Sequence, residues 1–111
     1  MDIARQIVDI LEEKKGEDIV LIDIHELTTL ADYFVICSGG SDRTVRALVN
    51  AVQETLREKQ NLRGRVEGQP EDGWMLVDYD VVVLHVFSPD QRAYYRLEEL
   101  WREGRVLVRL Q

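Results

Sequence analysis

The sequence has few of the residues that build disulfide frameworks, metal sites and membrane spans. Of its 111 residues, one is cysteine, two are histidine and two are proline. A single cysteine, Cys37, cannot form an internal disulfide framework. The apolar runs, such as Val81 to Leu84, are far too short to cross a bilayer. The N-terminus lacks the basic start and apolar stretch of a signal peptide, so we expect a cytoplasmic protein.

Positive charge is also scarce. The chain carries 14 lysines and arginines against 21 acidic residues, which leaves a net charge of -7. An acidic chain repels phosphate backbones, so direct binding of nucleic acid is disfavoured. We expect such a chain to bind a basic protein surface rather than RNA. The remaining composition, 45% hydrophobic and 32% charged, is typical of one globular domain over residues 1–111.

Hydrophobic periodicity predicts helices that alternate with short buried strands. The clearest helix follows Ser41, a good N-cap, and ends near residues 59–61. Ser88 and Pro89 start a helix whose apolar face extends to Trp101 and which Gly104 stops. The other predicted elements are a helix over 2–15, strands over 19–24, 33–37, 65–67, 74–78 and 81–87, and an edge strand over 106–110.

This order of elements predicts an α/β (α+β) fold. The strands over 19–24 and 33–37 are apolar on both sides, so each of their faces needs a cover. The strands over 74–78 and 81–87 are joined so tightly that they form a hairpin. A central mixed β-sheet flanked by helices on both faces is the layering that buries all of these surfaces.

Two short motifs could serve phosphate chemistry. Ser38-Gly39-Gly40-Ser41 lies between a strand and a helix N-terminus, where free N–H groups can bind an anion. Asp78 and Asp80 share one strand face and could hold a magnesium ion. Nucleotidyltransferases combine such motifs closely, whereas here a helix and a loop intervene. A strand-to-helix turn and a hairpin turn explain the two motifs without any ligand.

The titratable residues carry weaker signals. His25 precedes Glu26 in a predicted loop, where we expect it to be solvated. His85 shares a strand face with Val83 and Phe87, so we expect it to be partly covered. One histidine without a spaced partner is weak evidence for a metal or a base. Cys37 sits in an apolar run, as a buried structural thiol would.

Large aromatic rings concentrate in the second half of the chain. They are more than one sheet face and one helix stripe comfortably bury, although core packing is the alternative explanation. Exposed aromatics are typical anchors of protein interfaces, so we favour an interface. The six rings are Trp74, Tyr79, Phe87, Tyr94, Tyr95 and Trp101.

One segment of the chain is specific enough to identify relatives, namely Asp32-Tyr33-Phe34-Val35-Ile36-Cys37-Ser38-Gly39. It is accompanied by Ser41, Arg43, Val45, Glu67-Gly68, Trp74, Val77-Asp78-Tyr79, His85-Val86-Phe87, Arg92, Tyr95, Leu97-Glu98 and Leu100-Trp101. With these motifs, nearly the whole chain, up to Trp101, resembles the ribosomal silencing factor family, also called the iojap family.

The resemblance implies a nucleotidyltransferase-like three-layer sandwich that is not an enzyme and needs no cofactor or metal. It implies binding to the large ribosomal subunit through ribosomal protein fourteen, which lies where the small subunit docks. Occupying that face would block subunit joining and repress translation during starvation or stationary phase. A homodimer is implied for the free protein. The expected partner-binding residues are Trp74, Val77, Asp78, Tyr79, His85 and Phe87.

Two positions depart from the family pattern. The family usually has Gly-Asp in the hairpin where this chain has Asp80-Val81, which changes the shape of the turn. The family often has Asn or Thr at the position of Gly40. The alternative function is a metal-dependent nucleotidyltransferase that would use Gly39, Ser41, Asp78 and Asp80.

Overall fold

The structure, a computed structural model, describes residues 2–96 and 102–110. A short 3₁₀ turn, Pro70–Asp72, joins two of its strands. The helices are α1 (Asp2–Glu13), α2 (Asp42–Gln60) and α3 (Pro89–Tyr95), and the strands are β1 (Glu17–Asp23), β2 (Tyr33–Ser38), β3 (Arg65–Gln69), β4 (Trp74–Asp78), β5 (Val82–Phe87) and β6 (Arg105–Leu110).

The strands form one mixed sheet in the order β3-β4-β5-β2-β1-β6. The central neighbours β2 and β5 run parallel, and the other neighbouring strands are antiparallel. The chain reaches β5 from β2 by a long crossover through α2, β3 and β4, as a parallel connection requires. The predicted mixed sheet, the hairpin of β4 and β5 and the final edge strand are confirmed.

Helices α1 and α2 cover one face of the sheet. Ser41 caps α2 as expected, because its Oγ accepts the Thr44 backbone N–H at 3.1 Å. Asn61 ends α2 in a left-handed conformation, with φ of 52°. The apolar stripes of both helices pack on the sheet residues Ile19, Leu21, Val35, Cys37, Met75, Val77, Leu84 and Val86. Within the described ranges, no helix is both long and apolar enough to span a membrane.

The opposite face of the sheet has a second apolar cluster. Its buried members are Val20, Ile22, Ile24, Ala31, Phe34, Ile36 and Phe87, with Trp74 and Val83 partly buried against them. The ring centroid of Tyr95 in α3 lies 4.6 Å from that of Trp74, which places this helix on the second face. Helices therefore lie on both faces, and the predicted architecture is confirmed.

Helix α3 is shorter than the sequence predicted. Its start is confirmed, since Ser88 Oγ accepts the Gln91 backbone N–H at 3.3 Å. It ends at Tyr95, because Arg96 adopts a left-handed backbone with φ of 48°. The continuation to Trp101 was therefore wrong at Arg96, and its remaining part, residues 97–101, falls outside the described residues. Residue spacing alone did not indicate the break.

The entry to β3 is fixed by a polar contact with α2. The Gln53 amide donates to the Gly64 carbonyl at 3.3 Å and accepts the Gly64 N–H at 3.2 Å. The Tyr79 hydroxyl donates to the same amide oxygen at 2.6 Å. Gly64 fits here because it has no side chain. An added Cβ would lie 2.5 Å from Val77 and 2.7 Å from the Tyr79 ring.

Substitution of Gly64 tests this contact. Gly64→Ala forces a methyl group into two buried side chains, so it should lower the free energy of unfolding by about 1–3 kcal/mol. Gly40→Ala is the matched control, because a Cβ there meets only a Glu17 carboxylate oxygen, at 3.7 Å. Urea denaturation of both variants measures the difference. Equal stabilities would show that the close approach at Gly64 does not constrain the fold.

Candidate protein interface

The six residues expected to bind a partner lie together on β4, β5 and the turn between them. They differ in exposure. Four are buried, namely Val77, Tyr79, His85 and Phe87, at 0%, 5%, 5% and 0% exposed. Trp74 and Asp78 are half-buried at the surface. The contact assignment stays a prediction, but in this conformation only Trp74 and Asp78 present much surface to a partner.

Trp74 is held in place by three aromatic neighbours. Its ring centroid lies 4.9 Å from Phe87 in a stacked arrangement and 4.6 Å from Tyr95 in a tilted one. Its Nε1–H donates to His85 Nδ1 at 3.2 Å. The side chain therefore has a buried edge that is hydrogen-bonded and a remaining edge at the surface, which is a common arrangement for tryptophan at interfaces.

His85 is a buried neutral imidazole. Burial lowers the pKa of His85 to about 4. Because Nδ1 accepts the Trp74 proton, the ring hydrogen must sit on Nε2. Among the described residues, Nε2 has no hydrogen-bond partner. The Phe34 ring meets the imidazole edge-on at 4.7 Å between centroids. His85 thus acts as an acceptor that orients Trp74 rather than as a general base.

The surface around Trp74 combines apolar and acidic side chains. The strand register places Trp74, Leu76, Asp78 and Val83 on the same side of the sheet, all half-buried, and we call these four residues the docking face. Tyr95 borders this face and is 42% exposed.

Carboxylates adjoin the docking face. Glu67 lies across from Leu76 in the neighbouring strand, and Asp80 follows in the hairpin; both are exposed. Arg65 adds one positive charge, and it donates to Asp78 at 3.0 Å. This arrangement can bind a protein surface that is apolar at its centre and basic around it.

The Asp78-Tyr79-Asp80 motif is used by the hairpin turn. Asp78 Oδ1 accepts the Asp80 backbone N–H at 2.8 Å, and its Oδ2 accepts from Arg65. Asp80 has a left-handed φ of 69°. Aspartate tolerates this conformation better than most residues, which explains how the turn forms without the glycine that the family usually has nearby. The Asp78 carboxylate and the Asp80 backbone therefore both serve the turn in this conformation.

The glycine turn before α2 has a local role as well. The Ser41 hydroxyl caps the helix, and a Glu17 carboxylate oxygen lies 3.7 Å from where a Cβ on Gly40 would stand. Ser38 Oγ accepts from the Arg92 guanidinium at 3.0 Å, which ties α3 to the sheet. The expectation that Ser41 acts as a cap is confirmed.

Cys37 and His25 match their expected environments. Burial raises the pKa of the Cys37 thiol to about 12, so it stays protonated and unreactive. His25 is exposed, and its Nδ1 lies 2.5 Å from Asp23 Oδ1. The hydrogen bond to Asp23 raises the pKa of His25. Both residues fit a structural explanation.

Several exposed apolar residues were not singled out from the sequence. Leu30 is 75% exposed in the loop between β1 and β2, and Val81 is 48% exposed in the hairpin. Tyr94 is 78% exposed, as the count of aromatic rings suggested. Leu76 shares a strand face with Trp74, so strand alternation around Trp74 could have identified it.

Comparison with solved structures defines the class of protein. A crystal structure of a protein from Chromobacterium violaceum matches with a TM-score of 0.85 at 39% identity, over 90% of this chain and 83% of that one. At this identity the likeness extends beyond a shared sheet topology. The chain is thus a small α/β protein of a kind already known from bacteria.

Sequence comparison identifies the family. The family model described as "Ribosomal silencing factor during starvation" matches residues 1–110, so the chain belongs to the ribosomal silencing factor (RsfS) family. Ribosomal silencing factor RsfS of Bacillus subtilis is 41% identical over 93 residues, which is 84% of this chain and 79% of that protein. The name of the family is that of a regulator and indicates no catalytic activity.

A mammalian relative carries a different name. The mouse protein "Mitochondrial assembly of ribosomal large subunit protein 1" is 33% identical over 98 residues, which is 86% of this chain and 43% of that protein. The similarity between this chain and the ribosomal silencing factors thus extends to a protein whose name refers to assembly of the large ribosomal subunit in mitochondria. The resemblance drawn from the sequence motifs is confirmed.

The buried imidazole predicts acid sensitivity. The native state holds His85 neutral down to about pH 4, whereas the unfolded chain protonates it near pH 6.5. The unfolded state therefore gains protons first, and stability falls as the pH drops below 6.5. Between pH 7 and pH 5 this group should remove about 2 kcal/mol from the free energy of unfolding. Urea denaturation at the two pH values measures this loss, and His85→Gln should abolish it.

The other histidine is the control for this experiment. His25 has a raised pKa, so its contribution has the opposite sign. It stabilises the fold below pH 6.5, and that contribution is lost as the pH rises through its folded pKa. His25→Gln should therefore retain the loss of stability on acidification. An unchanged pH dependence in His85→Gln would contradict the role given to the buried ring.

Proposed function

We propose that this protein binds the large ribosomal subunit through ribosomal protein fourteen and sterically blocks joining of the small subunit. The observation that carries the proposal is the docking face, an apolar strand surface centred on Trp74 with exposed carboxylates beside it, on a chain of the ribosomal silencing factor family. The mouse relative named for assembly of the large ribosomal subunit supports the choice of subunit. Starvation or stationary phase is the expected setting.

Direct contact is assigned to the residues that have surface to offer. Trp74, Leu76 and Val83 supply apolar contact, and Asp78 supplies charge at the border. Val77 and Tyr79 lie behind them in the core with α2, whereas His85 and Phe87 support Trp74 directly. Of the six residues that the family resemblance gives as partner-binding, Trp74 and Asp78 thus touch the partner. The other four hold these two in position.

Charge explains the choice of a protein partner over RNA. The chain has a net charge of -7, and the exposed carboxylates of Glu67 and Asp80 lie close to the docking face. Such a surface attracts a basic protein and raises the rate of encounter, while it repels a phosphate backbone. Apolar contact at Trp74 then contributes affinity. No chemical step is needed, because occupying the docking face of the subunit is sufficient.

The proposal includes two further properties. The protein acts in the cytoplasm of a bacterial cell, and it forms a homodimer when it is not on the ribosome. Neither property requires a cofactor or a metal.

Magnesium nucleotide should leave the melting temperature unchanged, since a ligand that binds only the native state would raise it. A clear rise would favour the nucleotidyltransferase alternative instead.

Sedimentation with separated ribosomal subunits tests the proposed target. The protein should pellet with large subunits and remain in the supernatant with small ones. Because few phosphates are neutralised, binding should fall only gently between 50 and 200 mM salt, whereas an RNA contact would be lost steeply. Pelleting with small subunits alone, or with neither subunit, would refute the proposed target.

A charge placed on the docking face should remove binding. Leu76→Glu puts a carboxylate beside Trp74 in the proposed contact, and we expect a loss of at least about 2 kcal/mol, or roughly thirtyfold in Kd. Val106→Glu is the control, since Val106 is 47% exposed on β6 at the opposite edge of the sheet. Circular dichroism verifies both folds. Equal binding by the two variants would move the contact elsewhere.

A further inference from the structure

Strand β3 forms an open edge of the sheet. It pairs with β4 on one side, and within the described ranges no strand pairs with its other side. All five of its residues, Arg65–Gln69, are exposed. An open strand edge presents unpaired N–H and C=O groups to any other extended chain of matching register.

The sequence of this edge is complementary to itself. Arg65 and Glu67 flank Val66, and the two charged residues point to the same side of the sheet because strand side chains alternate. In an antiparallel pair with a second copy, centred on Val66, each Arg65 lies opposite the Glu67 of the other chain. Opposite charges in such directly facing positions stabilise a strand pair, and like charges destabilise it.

The other residues of the edge fit the same register. Val66, 40% exposed, would meet the Val66 of the second copy. Gly68 would face Gly64, so no side chains collide there. Natural edge strands that avoid pairing often carry proline or charged side chains, especially lysine. This edge has one charge of each sign, spaced so that a second copy is accommodated.

The charged side chains of this edge are largely exposed. The side chain of Arg65 is 73% exposed, and that of Glu67 is 59% exposed. Within one chain, Arg65 Nε lies 3.8 Å from Glu67 Oε2. Arg65 also bonds Asp78, a half-buried neighbour. Exposed ion pairs of this kind contribute little to the fold, so exchanging one partner for the same group on a second copy costs little.

We propose that β3 is the surface through which a second copy of this chain adds to the sheet, antiparallel and centred on Val66. The proposal deepens the homodimer element of the proposed function by naming its interface and register. The two-fold axis stands perpendicular to the sheet, so both docking faces lie on the same side. A five-residue edge is a small contact, so the dimer should dissociate on dilution.

Charge exchange tests the register. Arg65→Glu gives a chain with two acidic residues flanking Val66, and Glu67→Arg gives a chain with two basic ones. Each variant alone should be at least tenfold weaker in dimerisation by sedimentation equilibrium than the wild type. An equimolar mixture of the two should form a heterodimer, because every facing pair then has opposite charges. The double variant, Arg65→Glu with Glu67→Arg, should dimerise like the wild type.

The controls separate this proposal from others. Arg105→Glu lies at the start of β6, on the opposite edge, and should leave dimerisation unchanged. A wild type that stays monomeric at high concentration, single variants that dimerise normally, or a mixture that stays monomeric would each overturn the proposal. Loss of dimerisation in Arg105→Glu alone would do the same. Ribosome sedimentation is measured separately at low concentration, so failure of the docking proposal would appear there and not in the dimer assay.

Discussion

The parallel pairing of β2 and β5 is the contact on which the rest of the structure depends. These strands lie at the centre of the sheet, and most of their side chains are buried on both faces. Val35 and Leu84 require the cover that α1 and α2 provide, and Phe34 and Phe87 require a cover on the other side. Among the side chains of β2 and β5, His85 is the only one that can carry a positive charge. At Nδ1 its burial is matched by the hydrogen bond that Trp74 supplies.

Much of this fold could be predicted because its local signals agree with its global layering. The Ser41 cap, the apolar stripe of α2 and the Ser88-Pro89 start all act within a few residues, so the sequence contains their full cause. The end of α3 differs. Arg96 is left-handed, although arginine is a good helix former, and its neighbours gave no glycine or proline signal there. The exposed Arg96 side chain instead donates its Nε–H back to the Ala93 carbonyl at 3.2 Å, a contact that residue spacing does not reveal.

The family motifs located the candidate site in the sequence. They did not show which of its side chains are exposed. Val77 and Tyr79 looked equivalent to Trp74 and Asp78 as neighbours on one segment. Their roles separate only when the strand register shows which side chains face α2. Strand alternation places the two pairs of residues on opposite faces of the sheet. It does not tell which of these faces the longer helices cover. Asp78 and Asp80 could be interpreted from the sequence as a pair of metal ligands. In the structure, the hydrogen bond from the Asp80 N–H to the Asp78 carboxylate explains both residues as parts of a turn.

The support behind Trp74 has a consequence for the duration of a complex. A side chain that becomes fixed only on binding loses rotational freedom, at a cost of about 0.5–1.5 kcal/mol. Trp74 is already fixed by the His85 acceptor and by the Phe87 and Tyr95 rings in the free chain. Most of that entropy is lost during folding instead of docking. For a factor that keeps ribosomes idle, a rigid anchor of this kind favours slow release over fast exchange.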